Sequence, residues 1–294
     1  MAAKALLFIN PRSRMGNERK PHAVAALARL GIDIIDVSST PLHKLPAIAR
    51  KNRRLADRII VGGGDGTINR LLEPLLKIKL PVGILPLGTA NDLVTTLGIP
   101  PKLEDACAVI AAGKQRRIDL GSVNGKHFVN VASLGLSQRI ACNLDPAAKK
   151  RWGIFAIAAC ASRVLTRPRR FRARIRCDGT RYDVQTFEIT VGNGKHFGGF
   201  ITSLDADISD HLLELYSLEL EKLADLAKLL PALASGRFAE TTAVRFQRGR
   251  EIRVTTEHPR TIYTDGERTA RTPAVFRIVP SALAVFAPAA KPRK

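Results

Sequence analysis

Three carboxylates sit beside glycine in settings where an acid could do chemistry. Asp65 lies inside Val61-Gly62-Gly63-Gly64-Asp65-Gly66-Thr67-Ile68-Asn69, and Asp265 and Glu267 bracket Gly266 in Thr264-Asp265-Gly266-Glu267. Glycine has no Cβ, so its backbone can bend through positive φ and come close to a ligand, and successive N–H groups can then converge on a phosphate. The first stretch follows the apolar run Arg58 to Val61 and reads as a phosphate loop. It is neither a Walker A loop, which ends in a Lys-Ser/Thr pair, nor a dinucleotide GxGxxG fingerprint. A Gly-rich turn from strand to helix can also be a plain tight connection.

Two more loops of this character lie nearby. Val82 to Leu85 runs into Pro86-Leu-Gly88-Thr89-Ala-Asn91-Asp92, where the polar residues could equally cap a helix that continues through Leu97. Ala5 to Ile9 runs into Asn10-Pro11-Arg12-Ser13-Arg14-Met15-Gly16. Ligands of open α/β sheets sit outside the carboxyl ends of the strands, so three such loops together favour a nucleotide site. Asp65 would repel an anion held by its own loop, and a bridging Mg²⁺ removes that conflict. An alcohol is a weak nucleophile until its proton leaves, so transfer to a hydroxyl needs a base. Asp65, Asp265 and Glu267 are the candidates, although Asp-Gly between strands is also a hairpin signal in its own right.

The elements that must position these loops alternate in the first part of the chain. Strand-like runs at Ala5 to Ile9, Asp33 to Val37, Arg58 to Val61 and Val82 to Leu85 are separated by helical spacing near Lys20 to Leu30, Leu42 to Lys51 and Thr67 to Leu76. Such alternation predicts a parallel sheet covered on both faces, a Rossmann-like three-layer α/β domain over residues 1–121. Beyond Gly121 the pattern turns all-β, with strands expected at Lys126 to Asn130, Phe171 to Cys177, Arg181 to Val191, Leu212 to Ser217, Ala243 to Phe246, Glu251 to Thr255 and Phe276 to Ile278. Short strands with Gly and Asn turns predict a β-sandwich over residues 122–280, interrupted by helices around Ala147 to Val164 and Leu223 to Leu233.

These motifs, taken in order, resemble the diacylglycerol kinase catalytic-domain family of lipid kinases. That family includes sphingosine and ceramide kinases and the bacterial soluble lipid kinases, and shares its GGDG loop with NAD kinases. Asn10-Pro11-x-Ser13, Gly63-Gly64-Asp65-Gly66-Thr67 and Gly88-Thr89-x-Asn91-Asp92 carry the first half of the likeness. Ile118-Asp119-Leu120-Gly121, Val191-Gly192-Asn193-Gly194, Ala206 to Leu213, Thr264 to Glu267 and Thr272-Pro273 carry the second. The resemblance implies an ATP pocket lined by Asn10, Pro11, Arg12, Ser13, Arg14, Thr40, Gly63, Gly64, Asp65, Gly66, Thr67, Ile68, Asn69, Gly88, Thr89, Asn91 and Asp92. It makes Glu267 the proton acceptor with Asp265 in support, and has Asp65 hold Mg²⁺ through water. It also implies a second, structural Mg²⁺ at Asp207, Asp210 and the carbonyl of Leu212, and a last segment, 281–294, that returns to the first domain. The chain departs from the family at Arg70, where glutamate is usual, and at Arg14, Leu204-Asp205, Asp207 and His211.

The activity so implied is ATP- and Mg²⁺-dependent phosphorylation of a lipid hydroxyl, such as that of diacylglycerol. The competing readings are an NAD kinase-like enzyme and a non-catalytic binder of acidic membranes or nucleic acid.

With 294 residues, 45% of them apolar, the chain has room for two soluble domains. Its formal charge of +21 favours anionic partners. Arg170, Arg172, Arg174 and Arg176 alternate along one strand and would form a single cationic row, which fits either a solvated face or acidic lipid headgroups. Lys149, Lys150 and Arg151 beside Trp152 and Phe155 resemble an interfacial anchor, although core packing also explains them. No apolar run approaches the roughly 20 residues that span a bilayer, so a cytoplasmic protein in peripheral contact with an anionic membrane is expected. A lipid is the expected partner and no specific nucleic acid is, while a homodimer stays open. Cys107, Cys142, Cys160 and Cys177 have no paired spacing and are expected to be buried and reduced. The histidines lack ligand spacing, with His196 set apart by its place between Asn193 and Gly198.

Overall fold

The computed structural model describes residues 3–11, 13, 15–136, 170–194, 196–197, 201–202, 207–221 and 241–289. The helices expected around Ala147 to Val164 and Leu223 to Leu233, the Lys149 to Phe155 anchor, Cys142, Cys160, Arg12, Arg14 and the final residues lie outside this set.

The first half runs β1 (Ala3–Ile9), α1 (Gly16–Arg29), β2 (Ile32–Asp36), α2 (Leu45–Lys51), β3 (Arg58–Gly63), α3 (Asp65–Ile78), β4 (Val82–Pro86), α4 (Asp92–Leu97) and α5 (Leu103–Ala111). The strands lie parallel in the order β2-β1-β3-β4. Leu6, Leu7, Ile59, Ile60, Val61, Ile84 and Leu85 are all buried, as continuous apolar strands covered on both faces must be. α1 packs beside α5, and α2 beside α3. The expected helix at Leu42 to Lys51 begins as a 3-10 turn and becomes α-helical at Leu45, with Pro46 in its first turn, where a missing N–H costs nothing. α5, in addition to the expected elements, buries Leu103, Ala106, Cys107 and Ile110 at helical spacing.

The second half contributes β5 (Gln115–Val123), β6 (Lys126–Phe128), β7 (Val131–Gly135), β8 (Phe171–Cys177), β9 (Thr180–Thr186), β10 (Glu188–Gly192), β11 (His196–Phe197), β12 (Ile201–Thr202), β13 (Leu213–Leu218), β14 (Val244–Gly249), β15 (Glu251–Thr256), β16 (Thr261–Thr264), β17 (Glu267–Arg271) and β18 (Ala274–Phe286). One antiparallel sheet has the order β14-β13-β10-β7-β16-β17. It packs through Leu134, Ile189, Val191, Leu213, Leu215 and Ile262 against Ile175, Ile252, Val254 and Phe276 of the other layer. The expected single strand Arg181 to Val191 is two: β9 stays with β8, and after Phe187 the chain crosses to pair β10 with β13 and β7.

β18 joins the halves. Its start pairs with β15, its length with β5, and its end lies parallel to β4 at Val285 and Val82. Ala274 and Phe276 therefore belong to the sandwich core, while Leu283, Val285, Phe286 and Ala287 belong to the core of the parallel sheet.

Candidate active site

The three expected loops meet at the carboxyl ends of β1, β3 and β4. The Asn10 backbone N–H donates to the Gly62 carbonyl at 3.0 Å, and its Nδ2 donates to Thr67 Oγ1 at 2.9 Å. Ser13 Oγ donates back to the Asn10 carbonyl at 2.8 Å. The Leu87 N–H donates to the Gly63 carbonyl at 3.2 Å, so β3 and β4 stay laced into their loops. The loops then touch backbone to backbone: a Cβ on Gly64 would stand 2.9 Å from Gly88 Cα, and one on Gly88 would overlap Gly64. Positive φ is not the reason for these glycines, since none of Gly62, Gly63, Gly64, Gly66 or Gly88 adopts it. Gly62, Gly63, Gly64 and Gly88 are there for close approach, whereas Gly66 has open space around it.

α3 starts at Asp65 with Gly64 as its N-cap, which aims the first N–H groups of a 14-residue helix at the junction. A helix N-terminus carries partial positive charge and orphan donors, the combination that holds phosphate. Asn91 does not cap α4 with its side chain. Instead it adopts φ of 53°, accepts the Gly88 N–H at 3.2 Å and donates to the Gly88 carbonyl at 3.2 Å, bracing its own loop. Asp65 serves α4 from afar, accepting the Leu93 N–H at 3.2 Å.

Asn10, Ser13, Gly64, Gly66, Thr67, Gly88 and Thr89 line an open cleft of about 340 Å³, together with Arg70 and, from the second half, Glu267. A neighbouring pocket of about 460 Å³ is lined by Pro11, Thr40, Pro41 and Leu42 and shares Asn10, Thr67 and Arg70. Gly63 lies beneath Thr67, Ile68 is buried in the core, Asn69 is half-buried on α3, and Asp92 opens α4.

Asp265 and Gly266 form the two-residue turn between β16 and β17 with φ of 47° and 87°, as a hairpin of this length requires. The hairpin and the acid are therefore one feature. The Asp265 carboxylate accepts the N–H groups of Val129 at 2.8 Å, Asn130 at 3.0 Å and Val131 at 3.0 Å. Burial nevertheless pushes its pKa up to about 6, with the nearby negative charge of Asp65 adding to the rise and the three N–H groups opposing it. The residue keeps some exposure at the turn, but its carboxylate is enclosed. Two carboxylates from different halves thus share one region. Glu267, two residues on, is exposed at the cleft, with Oε1 3.6 Å from Arg70 Nε.

The segment expected to hold a structural Mg²⁺ has a different donor set. Arg116 Nη2 donates to Asp207 Oδ1 at 2.7 Å and to Ser209 Oγ at 2.7 Å, and Ser209 N–H also donates to Asp207 at 3.1 Å. Arg248 pairs with Asp210 and lies 3.5 Å from Glu214, while Leu212 meets Asp210 through its N–H at 3.1 Å. Guanidinium groups thus take the carboxylates that the cation was expected to use. Among the described residues no group of three or more His, Cys, Asp or Glu is arranged for a metal. His211 has φ of 63°, and both its N–H and Nδ1 meet buried Asp119, at 2.7 and 2.9 Å. Arg116 and Arg248 carry no signal in the sequence beyond residue type, and the Ile118 to Gly121 motif marks Asp119 without assigning it this role.

Elsewhere, Cys107 and Cys177 are buried free thiols, with burial pushing Cys107 up to about 11. The arginine row is exposed on β8 and continues across its neighbours: Arg176 lies opposite Arg181 and Arg253, and Arg277 opposite Glu251. A further depression of about 450 Å³ on this face, lined by Arg172, Arg174 and Gln185, shares no residue with the loops. The His196 side chain falls outside the described set.

Comparisons with known proteins bear on the family and the fold. The model of the diacylglycerol kinase catalytic domain matches residues 4–123, and that of the YegS C-terminal NAD kinase beta sandwich-like domain matches residues 131–287. A diacylglycerol kinase of Mycobacterium tuberculosis is 31% identical over 97% of this chain and 95% of its own length. One from Staphylococcus aureus is 25% identical over 98% and 93%. A crystal structure of a diacylglycerol kinase from Bacillus anthracis superposes with a TM-score of 0.73 at 22% identity, covering 97% of both chains.

Proposed function

Since the chain belongs to the diacylglycerol kinase family and is a lipid kinase, we propose that it transfers the γ-phosphate of ATP to a hydroxyl of diacylglycerol or a close relative, with Mg²⁺ as cofactor. One observation carries the reading: the three loops of the parallel sheet and Glu267 of the β-sandwich line the same cleft.

Phosphoryl transfer asks a protein mainly to position the attacking and leaving oxygens in line and to stabilise the moving charge. Here the backbone N–H groups at the start of α3 and the hydroxyls of Thr67 and Thr89 hold the phosphates, Ser13 braces the Asn10 turn beside them, and the pocket beside Thr40 takes the nucleoside. Glu267 accepts the proton of the lipid hydroxyl as its oxygen bonds to the γ-phosphorus and the bridging bond to ADP breaks. Asp65, backed by Asp265, would hold magnesium, which offsets charge on the phosphates. The arginine face of β8, β9, β15 and β18 makes the peripheral contact with an anionic membrane. Among the described residues no helix is long and apolar enough to cross one.

The test is transfer of labelled phosphate to lipid in mixed micelles, with NAD offered as the alternative acceptor. Transfer to diacylglycerol is expected, with loss in Asp65→Ala and Glu267→Ala while both variants stay folded by circular dichroism. Full turnover in both variants, or labelling of NAD alone, would remove the reading.

A further inference from the structure

Arg70 stands on α3, one helical turn beyond the phosphate loop, where it lines both the cleft of about 340 Å³ and the pocket of about 460 Å³. The other groups lining the cleft are glycines, hydroxyls and the Asn10 amide, with one exception, Glu267. Among the described lining residues the cleft therefore has one cation and one carboxylate, and these two face each other at 3.6 Å, each more than half exposed at 61% and 54%.

That pairing solves one problem and creates another. A carboxylate beside bound phosphates is repelled by them, and a guanidinium beside it cancels the repulsion. A proton acceptor tied to arginine is, however, less free to meet a hydroxyl. The pair is long and solvent-exposed, the kind of ion pair that contributes little and breaks readily. Phosphate oxygens match the flat guanidinium fork with shorter, charge-assisted hydrogen bonds, so they compete well for it.

We propose that Arg70 exchanges partners during the reaction, leaving Glu267 for the γ-phosphate when ATP fills the cleft, and that this exchange both steadies the phosphoryl group and releases Glu267 to take the hydroxyl proton. The role rests on the lipid kinase reading. Arg70 undergoes no covalent change: the bond formed joins the lipid oxygen to phosphorus, the bond broken frees ADP, and the proton goes to Glu267.

The experiment compares ATP and ADP binding by calorimetry, alongside kcat in mixed micelles, for the wild type, Arg70→Gln and Arg70→Lys. Arg70→Gln is expected to weaken ATP binding about tenfold more than it weakens ADP binding, because only ATP offers the γ-phosphate. Its kcat is expected to fall on the order of 100-fold, less than for an enclosed arginine finger because Arg70 is exposed. Arg70→Lys should restore part of both. An ATP-over-ADP preference and a kcat within about twofold of the wild type in Arg70→Gln would overturn the proposal. A wild type that phosphorylates no lipid would strike the functional reading instead, and the nucleotide comparison would still decide whether Arg70 meets the γ-phosphate.

Discussion

Asp265 and Glu267 are separated by one glycine, yet the hairpin gives them opposite surroundings: one carboxylate is enclosed by three backbone N–H groups, the other looks into the cleft. This division was half legible. Thr264-Asp-Gly-Glu reads as a turn and as a pair of acids, but which acid turns inward depends on the loop at Val129 to Val131, more than a hundred residues away in sequence. The difference has a measurable sign. Asp265 titrates near 6 in the fold against an ordinary value of 3.8, so its contribution to stability is fully present below pH of about 4 and is lost as pH rises through about 6. Asp265→Asn does not titrate. Thermal melts from pH 4 to 7 should therefore show the variant gaining on the wild type as pH rises, and parallel curves would show that the carboxyl is not held neutral. Added Mg²⁺ and ATP should shrink the trend, because a bound cation favours the ionised acid.

Loops and strands were the most readable elements, because their signals are local. Glycine after an apolar run marked the ends of β3 and β4, and alternation along Phe171 to Cys177 gave β8 with its outer face. Crossing points were not readable: Arg181 to Val191 looks like one strand, and only the placement of β13 next to β10 splits it at Phe187. Nor could the sequence show that Arg116 and Arg248 meet Asp207 and Asp210, since ion pairs between distant segments leave no spacing to detect. The backbone contact between Gly64 and Gly88 makes the loop junction testable. Gly88→Ala has no room beside Gly64 and should cost about 1–3 kcal/mol while weakening ATP binding. Gly66→Ala meets nothing within 4 Å and lies inside α3, so it should raise stability by about 0.5–1 kcal/mol. Chemical denaturation of the two variants separates them, and equal effects would mean that the loops do not touch as described.

At the scale of the molecule, charge and connectivity dominate. One sheet face presents Arg172, Arg174, Arg176, Arg181, Arg253 and Arg277, answered by Asp183 and Glu251, which pair with four of them. Such an excess of cations draws the protein toward anionic vesicles, and each arginine at a lipid surface contributes about 1 kcal/mol. Sedimentation with vesicles rich in phosphatidylserine should fall steeply with salt and drop at least tenfold in Arg172→Glu/Arg176→Glu. Binding that ignores both changes would move the membrane contact elsewhere. Connectivity bears on how the protein comes into being. Phe286, near the end of β18, is 1% exposed inside the core of the half that leaves the ribosome first. Domains ordinarily settle in the order of their synthesis. In this chain the earlier half must wait, its interior open along one side, until β18 has been made, so a message cut short before β18 leaves neither half with a finished interior.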